Sequence, residues 1–256
     1  MSAPALEAKG IAKAFGGVAA VDGVSFTVPD GSLVALIGPN GAGKTTLFNL
    51  ATNLFHLDAG EIRLYGTPLA GLSPNAIANL GLLRTFQTAR VFPGMTALEN
   101  VLVGAHRHVQ AHPLRQMLWL GAGEEGRLMA RARDLLELVG LWEFADIAAT
   151  SLPMGAQKLV EVCRALMAGP RLLLLDEPAA GLNDGETAEL ATLLRAIRDS
   201  GITILVVEHN MSLVMDVADE IMVLDLGRLI AHGPPRVIQR DKRVIEAYLG
   251  QDAGVA

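Results

Sequence analysis

Short, almost wholly apolar runs punctuated by glycine, proline and aspartate set the pattern of this chain. Residues 33–37 and 172–175 are apolar throughout, 202–207 is apolar but for Thr203, and all three runs are bounded by turn or charged residues. Runs of that length, apolar on both faces, predict buried strands of a parallel sheet. All fall far short of the ~20 apolar residues that a membrane-spanning helix needs. The chain also reads as strand-rich from Leu6 onward, at 24–28 and, by alternation, at 61–65. Gly16-Gly17 and Pro29-Asp30-Gly31 supply the turns. A helix is predicted over 44–53.

Near Thr88 the period changes. Helical spacing dominates to Gly169, at 97–103, 126–139 and 157–167. Beyond it strand and helix alternate again, with helices at 184–200 and 211–218 and strands at 221–224 and 228–231. The pattern predicts an α/β core formed by 1–87 and 170–256, an antiparallel β subdomain at its N-terminal end, and an inserted helical subdomain at 88–169.

Composition narrows the function classes. The chain has 256 residues, 51% hydrophobic and 19% charged, which suits a large folded core and excludes disorder as the default. A net charge of −6 gives no general grip on nucleic acid or anionic lipid, so no nucleic-acid partner is expected. The single cysteine, Cys163, excludes an internal disulfide and fits a reducing compartment. The first ten residues lack a basic segment followed by an apolar run and are not expected to act as a secretory signal. A membrane role would therefore come through partner chains.

Candidate chemistry begins where the 33–37 run ends. Gly38-Pro39-Asn40-Gly41-Ala42-Gly43-Lys44-Thr45 fits G-x-x-x-x-G-K-[ST] between a predicted strand and a predicted helix, the context this motif requires. Its glycines let backbone N–H groups curl around phosphates, and the helix N-terminus adds partial positive charge. The cradle is expected to span Gly38 to Thr46 and to bind ATP, with Lys44 on the β- and γ-phosphates and the Thr45 hydroxyl on Mg²⁺. The run 172–175 ends in Asp176-Glu177-Pro178. Sites in α/β sheets lie at the carboxyl ends of such strands. Asp176 is expected to hold Mg²⁺ and Glu177 to orient or deprotonate an attacking water.

Taken together, these segments resemble the ATP-binding subunits of ABC transporters over nearly the whole chain. The resemblance implies a P-loop NTPase core of the ABC ATPase type. It implies further roles by position. Gln87, in Arg84-Thr85-Phe86-Gln87, is similar to the glutamine that ligates Mg²⁺ and senses the membrane partner. Ala179-Ala180-Gly181-Leu182-Asn183 lies at the D-loop position. His209, in Val206-Val207-Glu208-His209, is similar to the switch histidine that contacts the γ-phosphate, and Phe15 to the aromatic that stacks on adenine. Each residue alone has a plainer reading. Phe15 fits a core aromatic, Gln87 a surface amide, His209 a satisfied core group and Asn183 a helix cap. Their order and joint occurrence favour the functional reading.

The segments GLLRTFQTARVFPGMTALENVLVG, DEPAAGLN and RVIEAYLG resemble the branched-chain amino acid importer subfamily. This implies permease subunits, a second ATP-binding subunit forming a homo- or heterodimer, and indirectly a solute-binding protein. It also implies a peripheral position on the cytoplasmic side of the inner membrane. A lipopolysaccharide-export ATPase and a soluble ABC ATPase are the alternatives. The latter usually carries coiled-coil insertions or a second cassette, and neither is expected here.

One segment departs from the family pattern. Leu152-Pro153-Met154-Gly155-Ala156-Gln157 stands where the family has Leu-Ser-Gly-Gly-Gln, with Pro153 at the serine and Ala156 at the glutamine. In the family this segment contacts the γ-phosphate held by the other subunit. A hydrogen bond to a charged group is worth about 1.5–3 kcal/mol. Each lost contact is therefore expected to weaken ATP-driven closure about tenfold or more. Gly155 keeps the close backbone approach, and proline suits a first helical turn. His106, His108 and His112 cluster without a carboxylate or thiol at ligand spacing, and the stretch through Met117, Leu118 and Trp119 reads as packing or a partner face. Cys163 reads as a small buried hydrophobe on an apolar helix face.

Overall fold

The computed structural model describes residues 3–85, 90–107 and 122–252. The chain divides into two compact units. The first comprises Met1–Arg84, Arg171–Glu177 and Leu194–Ala256, and the second Thr85–Pro170 and Pro178–Leu193.

The first unit carries two sheets. In the antiparallel one, β1 (Leu6–Phe15) lies between β2 (Val18–Val28) and β4 (Ala59–Leu64), with β5 (Thr67–Pro68) at the edge. The other contains β3 (Leu33–Ile37), β6 (Leu82–Arg84), β7 (Leu172–Asp176), β8 (Thr203–Val207), β9 (Glu220–Asp225) and β10 (Arg228–Gly233). Its order is β10-β9-β3-β8-β7-β6, parallel except for β10. Every residue of β3, β7 and β8 is buried, which is why those runs read as almost unbroken apolar stretches. Because β3 and β7 flank β8 in parallel, the loops leaving all three strands emerge at the same sheet edge.

Helix α1 (Lys44–Ala51) follows β3. Its Leu47 and Phe48 join one apolar cluster with Leu6, Ile11 and Val28 of the antiparallel sheet and Leu36, Leu174 and Leu205 of the parallel one. The phosphate-loop helix is thus anchored in the core of its unit. Further helices are α2 (Pro74–Asn79), α7 (Met211–Val217), α8 (Pro235–Ile238) and α9 (Lys242–Asp252). The three-residue strand β6, and α2, α8 and α9, carried no periodic signal of their own. β6 forms because Leu82, Leu83 and Arg84 pair with Leu172, Leu173 and Leu174, a purely tertiary cause.

The second unit is helical. It holds α3 (Ala97–Val103), α4 (Ala122–Leu138), α5 (Met154–Met167) and the first turns of α6 (Asp184–Asp199). Val101, Leu136, Val160, Cys163 and Met167 form its core. Thr96 and Glu99 start α3 with a reciprocal capping box. Burial pushes the Cys163 thiol up to about 12, so it packs as an apolar group. Residues 178–193 were expected in the α/β core, and they group instead with the helical unit. The reason is visible in two contacts: Lys158 Nζ donates to Ala180 O at 2.7 Å, and a Cβ on Gly155 would lie 2.7 Å from Leu182.

Candidate functional site

The loop from Gly38 to Gly43 turns tightly between β3 and α1. Gly43 has φ 103°, and a Cβ there would stand 2.2 Å from Ala20 O. A Cβ on Gly38 would stand 2.0 Å from Leu224 O. Both positions therefore require glycine on steric grounds. Pro39, Asn40, Gly41 and Ala42 complete the turn, with Gly41 at φ 79°. Lys44 is buried, and its Nζ donates to Gly38 O at 2.7 Å and Pro39 O at 2.9 Å. Burial holds its ammonium below the ordinary lysine range, while Glu177 and Asp176 pull in the opposite direction. A buried cation facing two carbonyls inside a ring of backbone is a cradle suited to phosphate oxygens. Thr45 is exposed and Thr46 half-buried at the start of α1. From the far end of the sequence, α9 brings Tyr248 into hydrogen bond with the Gly38 backbone.

The acids stand on neighbouring strand ends. Asp176 closes β7 opposite Val207 of β8. Glu177 comes next with φ 49°, a left-handed conformation costly for a residue with a Cβ, and its N–H donates to Val207 O at 2.9 Å. His209 lies two residues beyond β8. Its Nε2 is 2.9 Å from Glu177 Oε1. Buried Glu208 accepts from the N–H groups of His209 and Asn210 at 3.0 and 3.3 Å, and Asn210 caps α7 through Leu213 N. The histidine is thus held at the base of a helix rather than on a loose loop.

Among the described residues, the donors that the motifs assign to a cation are the Thr45 hydroxyl and the Asp176 carboxylate. No group of three or more His, Cys, Asp or Glu that could hold a metal occurs among the described residues. A few protein oxygens completed by substrate phosphates and water is what Mg²⁺ favours, so this donor set fits Mg²⁺ with a nucleotide and not a self-contained metal centre.

Phe15 ends β1 at 44% exposure. It meets Phe55 edge-on at 5.2 Å, with Lys13 Nζ 5.6 Å from its ring centroid. An exposed ring braced by another is available for stacking, unlike the core aromatic it resembles in sequence. Gln87 lies outside the described residues, as do His108, His112, Met117, Leu118 and Trp119. His106 is exposed. In the second unit Pro153 is the exposed N-cap of α5 and provides no side-chain cap. Gly155 is buried against Leu182, a packing reason for glycine within the chain itself. Gln157 Nε2 donates to Leu152 O at 2.8 Å. Asn183 forms a capping box with Glu186 at 2.9 and 3.0 Å, as its cap-like sequence suggests.

One residue escaped sequence reasoning. Arg84, at the end of β6, donates from Nη2 to Asp176 Oδ2 at 2.8 Å and from Nη1 to Asn49 Oδ1 at 2.6 Å. Its only sequence signal was a cation ending a short apolar stretch three residues before Gln87.

A nucleotide cradle, two acids and a histidine on adjacent parallel strands, with a helical unit emerging between them in sequence, define an ATP-binding cassette. A sequence profile described as ABC transporter matches residues 21–180, and one described as branched-chain amino acid ATP-binding cassette transporter matches residues 228–254. The chain belongs to the ABC transporter family, as one of its ATP-binding, ATP-hydrolysing subunits. It is 44% identical over 254 residues to the high-affinity branched-chain amino acid transport ATP-binding protein BraF of Pseudomonas aeruginosa, covering 98% of this chain and 100% of that protein. It is 41% identical, with the same coverage, to LivG of Escherichia coli, described in the same words. A crystal structure of the ADP conformation of an ATP-binding cassette of an ABC transporter superposes with a TM-score of 0.83 at 33% identity, covering 96% of this chain and 99% of that one. These relatives favour the importer subunit over the lipopolysaccharide-export and soluble alternatives.

Proposed function

We propose that this chain hydrolyses Mg²⁺-ATP at the carboxyl ends of β3, β7 and β8 and thereby drives branched-chain amino acid import. In this reading the Gly38–Thr46 segment holds the phosphates, Lys44 neutralises the β- and γ-phosphates, and Phe15 stacks on adenine. Thr45, Asp176 and Gln87 would hold Mg²⁺, which would draw charge from the phosphate oxygens when bound. Glu177 accepts a proton from the attacking water as its oxygen bonds to the γ-phosphorus and the bond to the ADP oxygen breaks. His209 orients Glu177 and faces the γ-phosphate. The observation that carries this reading is the contact of His209 with a backbone-strained Glu177 directly after Asp176. Steady-state ATPase measurement of wild type against Glu177→Gln tests it, and equal rates would refute it.

The partners follow from the same reading. Among the described residues no helix is long and apolar enough to cross a membrane. The chain sits peripherally on the cytoplasmic side of the inner membrane, bound to permease subunits that receive solute from a binding protein. The helical segment 88–169 passes the motion of ATP-driven dimer closure to them. Gly155 and the start of α5 face the nucleotide of a second ATP-binding subunit. Pro153 and Ala156 weaken that contact, so the partner is a subunit whose own signature is complete. The names of the relatives support branched-chain amino acids as cargo. Deleting the gene and measuring radiolabelled leucine uptake tests the cargo. Uptake equal to that of the parent strain would refute it.

A further inference from the structure

We propose that Arg84 is a positioning residue that fixes the Asp176 carboxylate relative to the phosphate-loop helix and so sets the affinity for Mg²⁺-nucleotide. The inference rests on the assignment of Asp176 to Mg²⁺ above.

Three observations carry it. First, Arg84 and Asp176 are held on the same face of the sheet. Arg84 pairs with Leu174, and Leu174 and Asp176 alternate along β7, so all three side chains share one side. The resulting ion pair is 2.8 Å long, with side-chain exposures of only 9% and 5%. Second, the guanidinium fork spends its two terminal nitrogens on two different elements: Nη2 on Asp176 at the end of β7, and Nη1 on Asn49 of α1 at 2.6 Å. Third, the guanidinium carbon lies 5.4 Å from the centroid of Phe48, which is fully buried on the same helix. Arg84 is therefore clamped between the strand that ends in the acid and the helix that begins with Lys44 and Thr45.

Stability alone is a weak reason for such a pair. Buried ion pairs rarely outperform apolar side chains of equal volume, because desolvating both charges offsets their attraction. The geometry is better explained by placement. A lysine could supply the charge, but not two divergent donors in one rigid plane. With the fork in place, the distance from Asp176 to the Thr45 end of α1 is set by Asn49-Arg84-Asp176 and not by loop positions alone. Removing the short contact to Oδ2 lets the carboxylate take other orientations, and metal sites lose affinity when the groups that orient their ligands are lost.

The test is titration of Mg²⁺ into full-length protein with a fluorescent ATP analogue, alongside thermal melting without nucleotide. Arg84→Gln is expected to raise the half-saturating Mg²⁺ concentration about 10- to 100-fold, while affinity for the analogue in EDTA stays unchanged. Arg84→Lys is expected to recover part of the loss. Asn49→Ala, which keeps the ion pair, is expected to shift Mg²⁺ in the same direction by less, and to add nothing in the Arg84→Gln background. If Arg84→Gln lowers the melting temperature but leaves Mg²⁺ saturation unchanged, Arg84 is only a core ion pair and the proposal is wrong. A fall in half-saturating Mg²⁺ also overturns it, since the guanidinium would then be a competitor. Should Arg84→Gln not fold, Asn49→Ala decides alone by the same criterion. Asp176→Asn separates the two levels: if it binds Mg²⁺-nucleotide as wild type does, the assignment of Asp176 fails and this inference with it.

Discussion

Glu177 Oε1 and His209 Nε2 lie 2.9 Å apart across 32 residues of sequence because their strands, β7 and β8, are parallel neighbours in register. Asp176 stands opposite Val207, so the residues following each strand meet at one height. Glu177 reaches the histidine by taking up φ 49°. A left-handed conformation at a residue with a Cβ costs about 1–3 kcal/mol. The contact is half exposed, so the hydrogen bond by itself is a poor source of compensation. The strain is better understood as the consequence of aiming a carboxylate at the sheet edge where the phosphate loop also ends.

That geometry predicts a sharp split between binding and hydrolysis. Glu177→Gln keeps the shape and removes the base, so the ATPase rate is expected to fall about 10²–10⁴-fold while nucleotide binding persists. His209→Ala is expected to cause a similar fall. Because the two residues touch, the double variant is expected to be little worse than either single one. Steady-state kinetics on all three variants checks this, and fully additive losses would contradict a shared role.

Gly43 provides a second, steric prediction. At φ 103°, with Ala20 O 2.2 Å from the place a Cβ would occupy, Gly43→Ala strains the backbone and displaces the strand β2 neighbour at once. A loss of at least about 1–3 kcal/mol of stability is expected, together with loss of the thermal shift that ATP produces in wild type. Urea unfolding and nucleotide-dependent melting measure the two effects separately.

The contrast between Gly43 and Arg84 explains how much of the site was legible in the sequence. The phosphate loop announces itself because its signal is local: the turn requires glycine at Gly38 and Gly43, and Lys44 and Thr45 follow at fixed spacing. Asp176 and Glu177 are legible because a fully buried strand has to end before charge can begin. The α/β alternation follows for the same reason, since β3, β7 and β8 are buried on both faces. Arg84 carries no such local mark. β6 is a strand only because β7 pairs with it, and Arg84 matters only through Asn49 and Asp176, which are 35 and 92 residues away. The left-handed Glu177 and the grouping of 178–193 with the helical unit are likewise products of tertiary contact, which periodicity does not record.

Lys44 predicts a pH dependence. Burial lowers its folded-state pKa from 10.5. Between the folded value and 10.5 the unfolded chain binds more protons, so raising the pH favours folding. The cost of burying the charge is fully present below the folded pKa, fades as pH rises through it, and is gone once 10.5 is passed. Lys44→Met abolishes this cost at every pH. The stability of the variant relative to wild type is therefore expected to fall as pH is raised from neutrality toward 10, in the absence of nucleotide. Parallel urea denaturation of both proteins at the two pH values tests the sign. The variant is also expected to lose ATP-induced stabilisation, since its cradle no longer carries a cation.

The start of α5 supplies the last prediction. Pro153 sits at the N-cap with ψ 153° and no side-chain cap, and Met154 beside it is 55% exposed. The backbone there already has the extended conformation of an N-cap, so Pro153→Ser adds a hydroxyl that can accept from the first turn without rebuilding the loop. That is worth about 1 kcal/mol of stability. Ala156→Gln lies in the same first turn, and Gln157 already donates back to Leu152 O, so the added side chain does not replace an existing bond. If this surface faces the nucleotide of a second subunit, the paired substitution restores two polar contacts to a charged ligand. Each is worth about 1.5–3 kcal/mol. ATP-driven dimerisation of the paired variant, measured by light scattering in a Glu177→Gln background to prevent turnover, is expected to strengthen at least about tenfold over Glu177→Gln alone. A gain in melting temperature without a gain in dimerisation would show that the substitutions act only as a helix cap, and that the signature surface of this chain is not limiting.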